Sequence, residues 1–253
     1  MKLFAIILTL NEADHIAECI QSLNFADHII VVDSQSSDDT TQRAEAEGAE
    51  VILHPFTDYA NQRNFALDHV QGRADWVLFV DADERVTSEL ADAVRTVRDK
   101  SEYAGWQIPR HNYLFGKLTT GAGWYPDYQT RLLRVGSAKY DPHRKVHEVV
   151  MLDGELGTLD AHFIHYNYRD VHQFMEKQRK YTAYEAQILY EQGHCPKPQN
   201  YILQPLRHFK WRYFELRGFT NGLHGLRLSV LMAWFELKKF LILRELCNKK
   251  TGA

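Results

Sequence analysis

Cysteine is scarce in this chain: Cys19, Cys195 and Cys247 are the only three among 253 residues. Thiols so few and so scattered do not build a disulfide framework or a cysteine-based zinc site, and a reducing compartment is the simpler setting. Long apolar runs are also missing. The first one, from Phe4 to Leu8, meets Asn11, Glu12 and Asp14 with no small-residue cleavage site between them, so it reads as a buried strand and not as a signal peptide. Charge of one sign does not dominate: 30 basic residues face 33 acidic ones, for a net −3, which excludes a globally basic nucleic-acid binder. There is no G-x-G-x-x-G and no P-loop, which argues against a dinucleotide-dependent dehydrogenase and a P-loop nucleotidase. Internal repeats and low-complexity stretches are absent too. With 45% hydrophobic and 25% charged positions, the composition is that of a globular protein with a substantial core.

The near-neutral total hides an asymmetry. From Asn200 onward there are ten basic and three acidic residues, a surplus of seven, which leaves −10 on the remainder. A basic tail on an acidic body suggests two different jobs. The body alternates strand and helix signals. Apolar runs at 4–8, 28–32, 50–53 and 76–80 predict strands, those at 4–8 and 76–80 buried on both faces. Between them, Ile16, Cys19, Ile20 and Leu23 recur at helical spacing with Asn11 as the expected cap. Further helices are expected up to Ala46 with Gly48 as the stop, over 61–70, and after a Thr87 cap. This order predicts an open, mostly parallel α/β sheet. After about Ser101 short strand candidates occur at 105–109, 139–140, 146–152 and 159–165. A helix is predicted over 171–190, with Phe174, Gln178, Tyr181, Tyr184 and Ile188 on one stripe, and Cys195-Pro-Lys-Pro marks a break.

Ligands of parallel α/β sheets bind at the carboxyl ends of the strands. Three predicted strand ends here are polar: Thr9, Asn11 and Glu12 after the first, Asp33 after the second, and Asp81-Ala82-Asp83 after the fourth. Each alone is compatible with a cap or a turn. The Asp-x-Asp carries most weight, because two carboxylates at the end of the buried run Trp76–Val80 suit Mg²⁺ or Mn²⁺ together with phosphate oxygens. Such an ion would stabilise a diphosphate leaving group.

The segments Ile6-Ile-Leu-Thr-Leu-Asn-Glu12, Ile30-Val-Val-Asp-Ser34 with Ser37-Asp-Asp-Thr40, and Phe79-Val-Asp-Ala-Asp-Glu84 resemble, in order and spacing, the three successive motifs of family-2 GT-A glycosyltransferases. Gln62-Arg63-Asn64 is similar to the segment that the family carries between the second and third. The resemblance implies an α/β fold of GT-A type, Rossmann-like, with a mostly parallel sheet and helices on both faces. Position by position, it implies that Thr9, Asn11, Glu12, Asp33, Arg63, Asp81 and Ala82 bind a nucleotide sugar and that Asp83 ligates the cation. It also implies inversion at the anomeric carbon, with a carboxylate deprotonating the acceptor. Two acids compete for that role: Asp127, in Trp124-Tyr-Pro-Asp-Tyr-Gln-Thr-Arg131, and Glu148, beside His147. His147 is a second candidate metal ligand, since neutral imidazole suits several divalent metals. His162, His165 and Tyr166 are expected to line the acceptor cleft.

The tail interleaves aromatic and basic residues from Leu206 to Phe214. It ends in an apolar stretch, 226–246, that Arg227, Glu236, Lys238, Lys239 and Arg244 interrupt. That mixture suits a helix lying in the membrane interface better than one crossing a bilayer. Single-stranded nucleic acid is the weaker reading, because no nucleic-acid motif accompanies it. His165-Tyr166 with 177–183, and Gly218-Phe-Thr-Asn-Gly-Leu-His-Gly225, resemble bacterial lipopolysaccharide core glycosyltransferases of the heptose β-1,4-glucosyltransferase type. That resemblance implies a UDP-sugar donor, a glycolipid acceptor, an anionic membrane surface as partner, and a peripheral cytoplasmic place at the inner membrane. The expected layout is a catalytic domain over 1–166 and a helical, membrane-associating C-terminal extension over 167–253. A polyprenyl-phosphate or peptide glycosyltransferase, and a non-catalytic membrane-associated binding protein, are the competing readings.

Overall fold

The computed structural model describes residues 1–99, 102–142 and 149–251. In chain order the elements are β1 (Leu3–Thr9), α1 (Ile16–Gln21), β2 (His28–Asp33), α2 (Thr40–Ala46), β3 (Glu50–Leu53), α3 (Tyr59–His69), β4 (Trp76–Asp81), β5 (Glu84–Val86) and α4 (Ser88–Val97). Then come β6 (Tyr103–Leu114), β7 (Lys117–Leu118), β8 (Tyr128–Arg134), β9 (Ala138–Tyr140), β10 (Val150–Leu152), β11 (Glu155–Thr158) and β12 (Phe163–Tyr168). The chain ends in α5 (Val171–Glu191), α6 (Asn200–Lys210), a π-helical turn (Trp211–Glu215), a 3-10 turn (Gly218–Asn221) and α7 (Gly222–Thr251). It divides into two compact units, Met1–Arg110 with Asp127–His165, and His111–Pro126 with Tyr166–Ala253.

The first unit is the expected α/β sheet. Its strands run in the order β3-β2-β1-β4-β8-β6; the first four are mutually parallel, and β8 is antiparallel to both β4 and β6. Alternation along the strands builds two cores. Leu3, Ala5, Ile7, Val31, Trp76, Leu78 and Val80 pack with α1, α2 and α4, whereas Phe4, Ile6, Ile30, Val32, Val77 and Phe79 pack with α3. Both faces are covered, which is why β1 and β4 read as unbroken apolar runs. Each large side chain so buried contributes about 1.5–3 kcal/mol.

Local signals set most boundaries. Thr87 caps α4 by accepting from the Leu90 amide at 3.2 Å, and Asp58 caps α3 by accepting from the Asn61 amide at 2.8 Å. Gly48, with φ +84°, ends α2. Asn11 is not the expected cap: α1 starts only at Ile16 after His15, while Asn11 adopts φ +57° and accepts from the Ser37 amide at 2.8 Å.

The second unit is helical around Leu114, Tyr168, Phe174, Leu228 and Phe235. The buried stripe of α5 is Phe174, Gln178, Thr182 and Ala186; Tyr181 and Tyr184 point outward, which corrects the expected stripe. The Gly218–Gly225 segment is a close-packing device. A Cβ on Gly225 would stand 1.9 Å from the Gly218 carbonyl oxygen. Asn221 accepts from the Gly121 amide at 2.7 Å, and Thr119 Oγ1 lies 3.0 Å from His224 Nε2. Cys195 and Cys247 are joined by a disulfide, so scarcity of cysteine excludes a framework but not a single cross-link, and this pairing runs against the reducing setting expected from that scarcity. Among the described residues no helix is long and apolar enough to cross a membrane.

Candidate active site

Register brings the polar strand ends together. Thr9 pairs with Asp33 across β1 and β2, and Leu8 pairs with Asp81 across β1 and β4. Three parallel strands therefore deliver their carboxyl ends to one edge, where an open α/β sheet binds ligands.

The loops after β1 and β2 are knitted to each other. Asp33 is fully buried and accepts from Thr9 Oγ1 at 2.9 Å, from the Ser36 amide at 2.7 Å and from Ser36 Oγ at 2.5 Å. The Asn11 amide donates to Ser36 Oγ at 2.8 Å, and the Glu12 amide donates to Thr40 Oγ1 at 2.8 Å. Asp38, in turn, accepts from the Thr40 hydroxyl and amide, and above all the hydroxyl bond holds its carboxyl below the usual carboxylate range. Beside this, Gln62 bridges His54 Nδ1 at 2.8 Å and Ser34 Oγ at 3.2 Å.

The end of β4 is the electrostatic centre. Asp81 contacts three guanidiniums: Arg131, hydrogen-bonded to Oδ2, Arg63 at 3.5 Å and Arg110 at 3.9 Å. Burial opposes the Asp81 anion, but Arg131, Arg63 and Arg110 outweigh it and hold the carboxyl far below its ordinary range. Glu84, wholly buried, accepts from Arg110 at 3.3 Å and from the Asp81 amide at 2.9 Å. Burial and the Asp81 charge push its carboxyl up, against Arg131 and Arg110. The Arg131 guanidinium is pushed up overall: burial disfavours its charge, yet Asp81 and Glu84 more than compensate.

Asp83 turns another way. Its Oδ2 lies 3.5 Å from Nε2 of His165, a buried residue of β12 that faces Glu84 in the β12–β5 pairing. Ala82 is buried, and its carbonyl accepts from Arg85 at 2.9 Å. Asp127, just before β8, accepts from Arg110 Nε at 2.9 Å, from Arg110 Nη2 at 2.6 Å and from Gln129 at 2.9 Å. One guanidinium thus joins Asp127 to Glu84 and Asp81. The buried Cys19 thiol, pushed up by burial, only donates to the Asp81 carbonyl, and its chemistry is structural.

Two networks therefore gather the sequence candidates: Thr9, Asn11, Glu12 and Asp33 in one, and Arg63, Asp81, Ala82, Asp83 and Asp127 in the other. His147 and Glu148 lie outside the described residues. Sequence reasoning missed Glu84, Arg110 and Arg131 as members. Glu84 directly follows the Asp-x-Asp, and Arg131 lies four residues after Asp127, but neither spacing reveals which strands meet.

Residues 4–140 match the family described as Glycosyl transferase family 2. The chain belongs to this family. Its relatives include the lipopolysaccharide core biosynthesis glycosyltransferase LpsC of Rhizobium meliloti (strain 1021), 29% identical over 92% of this chain and 91% of that protein. An uncharacterized glycosyltransferase of Rickettsia felis (strain ATCC VR-1525 / URRWXCal2) is 31% identical over 96% of this chain and 90% of its own length. Among solved structures, glucosyl-3-phosphoglycerate synthase from Mycobacterium tuberculosis, in complex with Mn²⁺, UDP and glucosyl-3-phosphoglycerate, is similar at 23% identity and a TM-score of 0.38. That similarity covers 43% of this chain and 44% of that one. The matched family region contains β2, β3 and β4, all of β1 except Leu3, and Asp81, Arg110, Asp127 and Arg131.

Proposed function

We propose that this family 2 enzyme is a metal-dependent, inverting hexosyltransferase that moves glucose from UDP-glucose to a lipid-anchored core oligosaccharide of lipopolysaccharide. It would do so at the cytoplasmic face of the inner membrane. One observation carries the reading: Asp81 ends β4 at the same sheet edge as the Thr9–Asp33 pair, with Asp83 two residues on, so that anionic oxygens and arginines share that edge. The role of LpsC in lipopolysaccharide core biosynthesis supports the choice of acceptor.

The donor atoms suit a hard divalent cation. Asp83 offers a carboxylate next to an imidazole, and the described residues include no group of three or more His, Cys, Asp or Glu able to hold a metal alone. An incomplete protein cage is what Mg²⁺ or Mn²⁺ uses when phosphate oxygens complete its coordination. Asp83 would hold the ion, with His147 as the second donor. Once bound, the ion neutralises charge on the departing diphosphate. Arg63, buried within α3 and beside Asp81, adds positive charge towards the phosphates. Thr9, Asn11, Glu12 and Asp33 bind the nucleoside by ordering the two loops.

In the transfer step the acceptor hydroxyl attacks the anomeric carbon from the face opposite UDP, and its proton passes to a carboxylate. The bond from that carbon to the diphosphate oxygen breaks with its electron pair on UDP. Asp127 is the preferred base and Glu148 the competitor. Arg110 and Gln129 fix the Asp127 carboxylate in one orientation, as proximity-controlled proton transfer requires.

The test is a screen of UDP- and GDP-sugars with the purified protein and core-oligosaccharide, polyprenyl-phosphate or peptide acceptors, with Mn²⁺ or with chelator. Transfer from UDP-glucose to the core acceptor, with inverted configuration and loss on chelation, is expected. Asp83→Ala should abolish it and retain the fold. Full activity of that variant, or transfer only to polyprenyl phosphate, refutes the assignment; lack of any cation-dependent UDP binding would favour a non-catalytic role.

A further inference from the structure

The helix α6 contradicts its own pattern. It is strongly amphipathic, yet none of its residues is buried. His208 marks the side that faces α7, since its Nδ1 lies 3.6 Å from Glu236 Oε2. At 3.6 residues per turn, Ile202, Leu203, Leu206 and Lys210 fall on the opposite side. Their apolar members are open to solvent, with Ile202 66% and Leu206 60% exposed, and Phe214 in the following turn is 56% exposed. Arg207, Lys210 and Arg217 are exposed along the same stretch, whose one exposed acid, Glu215, is paired with Lys210 at 3.4 Å. An apolar ridge left open to solvent and flanked by cations is built for an outside surface.

We infer that the outward side of α6, continued by the π-helical turn, is a docking surface for an anionic lipid bilayer. It inserts Ile202, Leu203, Leu206 and Phe214 among the acyl chains and sets Arg207, Lys210 and Arg217 against the headgroups. Charge selects this occupant. A second copy of the chain, meeting the same face about a two-fold axis, would bring like cations together, whereas an anionic bilayer complements them. Helices with an apolar side and Lys/Arg flanks lie in the interface plane without spanning it. This deepens the proposed function and rests on it for its purpose, because a lipid-anchored acceptor requires an enzyme that works at the bilayer surface.

The experiment is cosedimentation of the full-length protein with phosphatidylcholine vesicles, with and without phosphatidylglycerol, over a series of NaCl concentrations. Binding that requires phosphatidylglycerol and weakens with salt is expected. Ile202→Glu with Leu206→Glu should lower the partition coefficient about a hundredfold, from the loss of two inserted apolar side chains. Arg207→Gln with Lys210→Gln should lower it about thirtyfold and flatten the salt dependence. Both pairs should keep the wild-type unfolding curve, since α6 contributes no buried side chain. Equal binding to neutral vesicles, variants that bind like wild type, or a wild-type dimer that the Glu pair dissociates would each overturn the inference. Neither donor nor acceptor enters the assay, so an inactive transferase that still binds vesicles would refute the proposed function alone.

Discussion

Replacing Arg131 by methionine tests whether the arginine cluster at the end of β4 is a structural element of the site. Arg131 is 4% exposed and contacts both Asp81 and Glu84. Breaking a buried ion pair costs about 3–5 kcal/mol, because the remaining charge stays desolvated. The Asp81 side chain is 32% exposed, so solvent relieves part of this; about 2–3 kcal/mol is expected at neutral pH. The pH dependence is more diagnostic than the magnitude. Asp81, with its folded pKa depressed, contributes stability that is complete above the ordinary Asp value of about 3.9 and is lost as pH falls. Glu84, with its folded pKa raised, has the opposite sign: its contribution is complete below the unfolded value of about 4.3 and is lost as pH rises. Removing Arg131 weakens the first contribution and raises Glu84 further, so both changes penalise the variant more as pH increases. Urea unfolding of wild type and Arg131→Met should therefore show a gap that is already present near about pH 4, where the lost Asp81 contribution acts, and that widens towards about pH 7 as the Glu84 contribution adds to it. A gap of the same size at both pH values would refute the charge argument and leave only lost packing.

Three further expectations rest on separate parts of the molecule. Asp127→Asn should lower kcat by about 10²–10⁴ while UDP binding measured by calorimetry is unchanged; a loss of that size in Glu148→Gln with an active Asp127→Asn would transfer the base role to Glu148. Gly225→Ala, usually favourable by about 1 kcal/mol inside a helix, should instead destabilise by about 1–3 kcal/mol, because its Cβ would meet the Gly218 carbonyl oxygen at 1.9 Å. Thermal unfolding reads this directly. Reducing the Cys195–Cys247 bond, whose ends lie 52 residues apart, should cost about 4 kcal/mol of stability by the chain-entropy estimate; unchanged melting in dithiothreitol would contradict it.

The parallel sheet was legible because burial on both faces leaves a plain signature, the unbroken apolar runs of β1 and β4. Each run ends at its polar residues, so the positions of Thr9, Asp33 and Asp81 followed from strand length alone. The site's cations were not legible in this way. Arg110 lies within β6 and Arg131 within β8, and both reach Asp81 only because β8 pairs antiparallel with both β4 and β6. Antiparallel insertion leaves no periodic trace in the sequence of β4. Asn11 misled as a cap for a related reason: the polar residue after a strand satisfied the neighbouring loop at Ser37 instead of the next helix. On α5 the tyrosines at 181 and 184 suggested a buried stripe by their size, while the smaller Thr182 and Ala186 are the residues that the packing covers.

Within the tetrapeptide Asp81-Ala82-Asp83-Glu84, three neighbouring acids have three different surroundings, so replacing the two aspartates should separate two properties. Asp81 is neutralised by guanidiniums, Asp83 stands against His165, and Glu84 is sealed beneath them with no exposed surface. Alternation along the chain explains the divergence: residues two apart share a side only where the strand continues, and β4 ends at Asp81 before β5 begins at Glu84. Asp81→Asn should reduce stability, since Arg131 and Arg110 lose a counter-charge in a buried setting, and should leave Mn²⁺ dependence in place. Asp83→Asn should leave the melting temperature near wild type and shift the Mn²⁺ concentration needed for UDP binding upward by tenfold or more, on the order of 1.4 kcal/mol or greater. Paired melting curves and Mn²⁺ titrations of the two variants decide the matter. Identical profiles for both would mean that the two aspartates act as one ligand pair, and the arginine cluster would then have to release Asp81 whenever the cation binds.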